Sequence, residues 1–175
     1  MAETEIPMRP LHDVTPYGYG KDDSVSDTTE NAAVTHKEIP LNGTRIRYTA
    51  RAGHLVTLDK YSAQPAAKIF YVAFTAEGFG DLSRRPVTFF YNGGPGLSSV
   101  YLLLGSFGPK RIETTLPHYT PPAPYRLVNN EESLLDCTDL VFINPVGTAY
   151  STAIAPKKIM NFGELMKTRL PSSNL

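Results

Sequence analysis

Between residues 34 and 58, apolar side chains recur at alternate positions in short runs: Ile39 and Leu41, Ile46 and Tyr48, Val56 and Leu58. A period of two marks strands with one face buried. Asn42-Gly43 and Ala52-Gly53 separate the runs and predict turns between antiparallel strands. Residues 67–76, rich in Ile, Phe, Tyr and Val, predict one more strand. The pattern then changes. Residues 86–91 are apolar on consecutive positions and lead at once into Asn92-Gly93-Gly94-Pro95-Gly96, as expected of a parallel strand buried on both faces. Residues 139–143 repeat that pattern. Leu97, Val100, Leu103 and Leu104 have helical spacing, so residues 97–104 predict a short helix ended by Gly105, and residues 132–137 predict another helical turn. Strand, loop, helix and strand in this order indicate an α/β fold in which N-terminal antiparallel strands lead into a parallel sheet.

The two ends read differently from this middle. Residues 1–34 hold seven acids against two bases with almost no apolar periodicity, and are expected to form a disordered acidic tail. Residues 35–158 carry the α/β pattern. Residues 159–175 form a divergent C-terminal tail in which Phe162, Leu165 and Met166 share helical spacing and Asn161 is placed to cap one short helix before Pro171. Pro121, Pro122 and Pro124 predict a stiff, extended surface loop.

Composition narrows the function classes. With 17 basic and 17 acidic residues the chain is neutral, so neither nucleic acid nor an anionic membrane is an expected partner. No stretch of about 18 apolar residues occurs. Residues 1–11 lack an apolar run of signal-peptide length, and the compartment stays open. Cys137 is the single cysteine, which excludes an internal disulfide framework and a cysteine-based zinc site. The basic pairs Arg84-Arg85, Lys110-Arg111 and Lys157-Lys158 read as solvated loop ends.

The chemistry lies in the glycine-rich loop. Adjacent glycines let backbone approach a substrate with no β-carbon in the way, and a following helix start offers unpaired N–H groups, so residues 92–96 read as an oxyanion-binding loop. A second segment, Asn144-Pro145-Val146-Gly147-Thr148-Ala149-Tyr150-Ser151, follows the strand at 139–143. An N-G-G-P-G loop followed by a P-V-G-T-x-Y-S loop resembles the serine carboxypeptidase family, most of all its bacterial branch. The resemblance runs over residues 35–158 and is clearest at 90–99, at Gly108-Pro109 and at 133–151.

That resemblance implies a partial α/β-hydrolase fold and a serine-type peptidase that releases C-terminal residues from peptides through an acyl-enzyme, without a cofactor. It implies that Gly94, with Gly93, forms the oxyanion hole, and that Asn92 binds the C-terminal carboxylate of the peptide substrate. Four positions depart from the family pattern: Leu97 replaces a small residue, Ser106 the glutamate of many eukaryotic members, Asn144 an aspartate and Ala149 a glycine. If position 149 requires positive φ, the alanine costs about 1 kcal/mol.

The nucleophile elbow G-x-S-x-G and the later Asp and His occur nowhere in the 175 residues. Ser98, Ser99 and Ser151 lack flanking glycines and read as helix-start or loop hydrogen-bonding residues. His36, His54 and His118 fall on a strand edge, a turn and the proline loop; they lack metal-like spacing, and none reads as a general base. The chain is thus expected to be a truncated front of a hydrolase, with an oxyanion loop, no catalytic residue and no metal, and inactive alone. Two alternatives stay open: a non-catalytic module binding carboxylates or peptide C-termini, and one half of a split hydrolase completed by a second, C-terminal chain.

Overall fold

The computed structural model describes residues 8–80, 82–92, 96–114 and 123–163. Asn42 and Gly43 adopt φ of 49° and 76°, both positive as a two-residue hairpin turn requires, and join β1 (Ala32–Leu41) to β2 (Thr44–Leu58). The register pairs Leu41 with Thr44 and Ile39 with Ile46, so the alternating apolar residues of both strands point to one face. Ile39, Leu41, Ile46 and Tyr48 are buried there, with Ala76, Leu135, Leu140 and Phe142.

No turn forms at Ala52-Gly53, where β2 continues as a 15-residue strand. Gly53 is needed for a different reason: a β-carbon would stand 2.1 Å from the Asn31 carbonyl oxygen and 2.5 Å from Ala32 Cα. The glycine marks a close approach of two backbones. The true turn comes at Asp59, whose carboxylate accepts the N–H groups of Tyr61 and Ser62 before β3 (Pro65–Ala76) begins.

β4 (Val87–Phe90) follows, then α1 (Val100–Leu102), which continues as a wider π turn over Leu103–Phe107. The helix thus starts later than the apolar spacing suggested and passes through Gly105 instead of ending there. β5 (Lys110–Ile112) and β6 (Leu127–Asn129) form a separate two-stranded sheet. A 3₁₀ turn at Leu134–Asp136 leads into β7 (Asp139–Ile143), followed by β8 (Thr152–Ala153) and α2 (Met160–Gly163). The main sheet runs β1-β2-β3-β7-β4, with β8 also on β3; all its pairs are antiparallel except β4 with β7. Antiparallel strands therefore lead into a parallel pair, in agreement with the α/β expectation.

β4 is not buried on both faces. Phe90 stacks on Phe142 and Phe107, but Val87 and Phe89 on the opposite face are 50% and 58% exposed. Arg85 is no solvated loop end either. Its guanidinium is buried and donates from Nε to Asp139 Oδ1 at 2.7 Å and from Nη2 to the Leu135 carbonyl at 2.5 Å.

The described part of the acidic N-terminus, residues 8–31, is not a disordered tail. Arg9 exchanges two backbone hydrogen bonds with Val34, and Val25 is bonded to Ala153 and Ala155. Asp27 pairs with the buried Lys68, and Asp22 pairs with Lys158. Low hydrophobicity does not foretell this order because the segment is held by polar and backbone bonds to the rest of the fold and not by an apolar face of its own. At the other end, Asn161 lies inside α2 and its Oδ1 accepts the Lys158 N–H; Leu165, Met166 and Pro171 lie outside the described residues, as do Pro121 and Pro122 of the proline loop.

Asp139 also accepts the Ala76 N–H at 3.0 Å, so it serves three strands' ends at once. Asp139→Ala strands a buried guanidinium, and urea denaturation is expected to show a loss of about 3–5 kcal/mol.

Candidate functional site

Asn92 directly follows β4, and Asn144 directly follows β7, so the two loops start side by side at the carboxyl ends of the parallel pair. One serine joins them. Ser99 Oγ accepts the Asn92 N–H at 3.1 Å and donates to the Ile143 carbonyl, while the Ser99 N–H donates to Asn144 Oδ1 at 2.9 Å. Ser99 and Asn144 are buried. Ser99 precedes α1 but makes no side-chain cap bond to it. Its hydroxyl is committed in both directions, as the reading of a loop hydrogen-bonding residue anticipated. The sequence held no signal for its particular partners, which are 7 and 44–45 positions away.

Asn144 stands where an aspartate was expected from the resemblance. It keeps the acceptor oxygen that the Ser99 amide uses, so the substitution retains the junction. The Asn92 carboxamide donates to the Ser98 carbonyl at 3.4 Å and is half-buried at the loop's start. Gly93, Gly94 and Pro95 lie outside the described residues. Gly96 has φ of 93°, a backbone that L side chains avoid. Leu97 is exposed and does not crowd α1. Ser106 is exposed, and its carbonyl accepts the buried Asn130 carboxamide.

The second loop is compact. Ser151 Oγ accepts the Phe70 N–H at 2.8 Å, and Thr148 and Ser151 form an isolated antiparallel bridge. Ser151 is therefore structural. Gly147 has φ of 83° with Ile159 pressed against it, at 2.6 Å from where a β-carbon would be. Ala149 has φ of 45°, the left-handed conformation that the family's glycine would adopt without strain.

The remaining candidates divide clearly. His36 lies on β1 beside Glu77 and Thr49. His54 lies not in a turn but buried within β2, against Tyr17 and Tyr150. His118 lies outside the described residues. Among the described residues, no group of three or more His, Cys, Asp and Glu side chains is placed to hold a metal ion. Cys137 is exposed, and the hydrogen bond and charge of Asp136 push its thiol pKa up, away from the reactive thiolate.

The chain matches the serine carboxypeptidase family over residues 40–166 and belongs to it. Family members are serine-type peptidases, that is, hydrolases. Among solved structures it is similar to Kex1(delta)p, a prohormone-processing carboxypeptidase from Saccharomyces cerevisiae, at 29% identity and a TM-score of 0.45 over 59% of this chain. The match covers 20% of that protein, so this chain spans about a fifth of its length. No curated protein sequence matches.

Relieving the left-handed alanine tests the geometry of the second loop. Ala149→Gly is expected to raise the urea midpoint by an amount equivalent to about 0.5–1 kcal/mol, whereas a β-branched Ala149→Val lowers it.

Proposed function

We propose that this chain supplies the substrate-binding and oxyanion elements of a serine carboxypeptidase, and that the nucleophile, Asp and His come from residues outside these 175. The observation that carries the reading is the family match across residues 40–166, which contains both loops, together with the Ser99 junction that holds Asn92 beside loop 144–151. Gly94, with Gly93, gives backbone N–H groups to the tetrahedral intermediate. A preorganised donor of this kind lowers the barrier by about 3–4 kcal/mol. Asn92 donates its carboxamide to the C-terminal carboxylate of the peptide, and so selects the terminal bond over internal ones.

Every serine that the motif pattern brings into question is otherwise engaged or wrongly built. Ser99 and Ser151 are buried with both hydroxyls bonded to backbone, and no serine sits on a G-x-S-x-G turn. The parallel pair has room for the rest of a hydrolase: Val87 and Phe89 of the outer strand β4, and Tyr91 just after it, are exposed large side chains. A further parallel strand would pair with the free edge of β4 and its crossover helix would cover that face, whether both belong to the same polypeptide or to a complementing chain. A stand-alone module binding peptide C-termini would leave that face in water, which disfavours it.

Two measurements test the reading. A fluorophosphonate probe is expected to leave the 175-residue chain unlabelled, and labelling at any of its serines overturns the account of the nucleophile. Sequencing the gene beyond the Leu175 codon in all three frames is expected to reveal a G-x-S-x-G elbow with a later Asp and His. Absence of such a frame, combined with binding of free-carboxylate peptides but not their amides, would instead establish the binding module.

A further inference from the structure

Residues 8–31 touch loop 144–151 at two successive positions. Tyr19 donates its hydroxyl to the Ala149 carbonyl at 3.0 Å. His54 Nε2 lies 3.0 Å from the Tyr150 carbonyl and 2.8 Å from the Tyr17 hydroxyl, which donates to Asp13 Oδ2 at 2.6 Å. A carbonyl only accepts, so Nε2 carries the hydrogen and shares it between Tyr150 and Tyr17. The rings lock the same contact: Tyr17 stacks on His54 at 6.0 Å and meets Tyr150 edge-on at 5.5 Å, with Phe70 behind both His54 and Tyr150. Beyond the loop, the segment bonds to Ala153, Ala155, Ile159 and Met160 through its own backbone.

We infer that residues 8–31 form a positioning strap, which holds loop 144–151 in place through Tyr17, Tyr19 and His54 and releases it in mild acid. The strap itself stands on these contacts alone. Its meaning for substrate rests on the proposed function, because the path continues from the loop through Asn144 and Ser99 to Asn92.

The acid sensitivity follows from where His54 sits. The imidazole is only 4% exposed. Asp13, Tyr17 and Asp27 approach it from the strap, Lys68 from β3, and the Tyr150 carbonyl from the loop. Arg9 and Glu30 of the strap and Arg51 of β2 line a cavity of about 340 Å³ on one side, and His12 lines one of about 270 Å³ on the other. Burial, aided by Lys68, outweighs the two carboxylates and the Tyr150 carbonyl and holds the His54 pKa below the ordinary imidazole value of 6.5. A depressed histidine contributes docking stability that is complete above 6.5 and is lost as pH falls through the docked-state pKa. Burial raises and hydrogen bonds from Tyr17 and Thr15 lower the Asp13 carboxyl, with a net depression; Asp27 is depressed chiefly by Lys68. Both carboxylates yield only in stronger acid, so His54 gives way first.

The test is amide hydrogen exchange on the 175-residue chain at pH 7.5 and pH 5.0, corrected for intrinsic rates. Protection at Val25, Gly147, Ser151 and Ala155 is expected to fall about tenfold at the lower pH, while the β1-β2 hairpin is unchanged. His54→Gln keeps an N–H donor without a titration, so its protection should be the same at both pH values. Tyr17→Phe keeps the ring but loses the hydroxyl, and should loosen the loop several-fold already at pH 7.5. Equal protection of the native chain at both pH values, a parallel loss in the hairpin, or a pH step that survives His54→Gln overturns the strap. None of these readouts uses a peptide or a serine probe, so they stand or fall apart from the carboxypeptidase reading.

Discussion

The short parallel pairing of β4 with β7 is the constraint on which the site depends. Only four residue pairs make it, from Val87 with Asp139 to Phe90 with Phe142, which is too little backbone to define a crevice by itself. Side chains pin it at both ends instead. At the entry, Asp139 binds the buried Arg85 guanidinium and the end of β3. At the exit, Ser99 ties the chain leaving β4 to the chain leaving β7. Between the pins, Phe90 stacks on both Phe142 and Phe107.

Two loops therefore leave adjacent parallel strands at their carboxyl ends, the place where open α/β sheets bind ligands. They differ in how they are held. The first begins with Asn92, whose bonds among the described residues go to Ser98 and Ser99. The second is braced from several sides: by Ser99 at Asn144, by Phe70 at Ser151, by Tyr19 at Ala149, and by His54 of β2 together with the Tyr17 ring at Tyr150. That bracing accounts for a strained alanine at position 149. A left-handed non-glycine residue persists where its surroundings over-determine the backbone, and here both neighbouring peptide groups are clamped.

The antiparallel hairpin, the order of the elements and the position of both loops were legible because each rests on local chemistry. Asn42-Gly43 suits a turn with two positive φ angles, alternation at Ile39, Leu41, Ile46 and Tyr48 sorts faces, and consecutive apolar residues before a glycine run mark a strand end. Three readings failed for want of long-range information. Gly53 looked like a turn because its true neighbour, Asn31, approaches only through tertiary pairing. Arg85 looked solvated because Asp139, its partner, is 54 positions away. Residues 8–31 looked disordered because they carry little apolar surface, and their bonds to Lys68, Ala153 and Lys158 span up to 136 positions.

The sequence by itself determined the strands of the hairpin, the two loop motifs and the family to which they belong, since these depend on residue type at fixed local spacing. Tertiary structure alone decided that Ser99 is the junction of the two loops, that His54 is buried beneath the N-terminal segment, and that β4 shows an apolar face to solvent. Each of these is a matter of which distant backbone lies against a given side chain, and residue spacing along the chain carries no record of that.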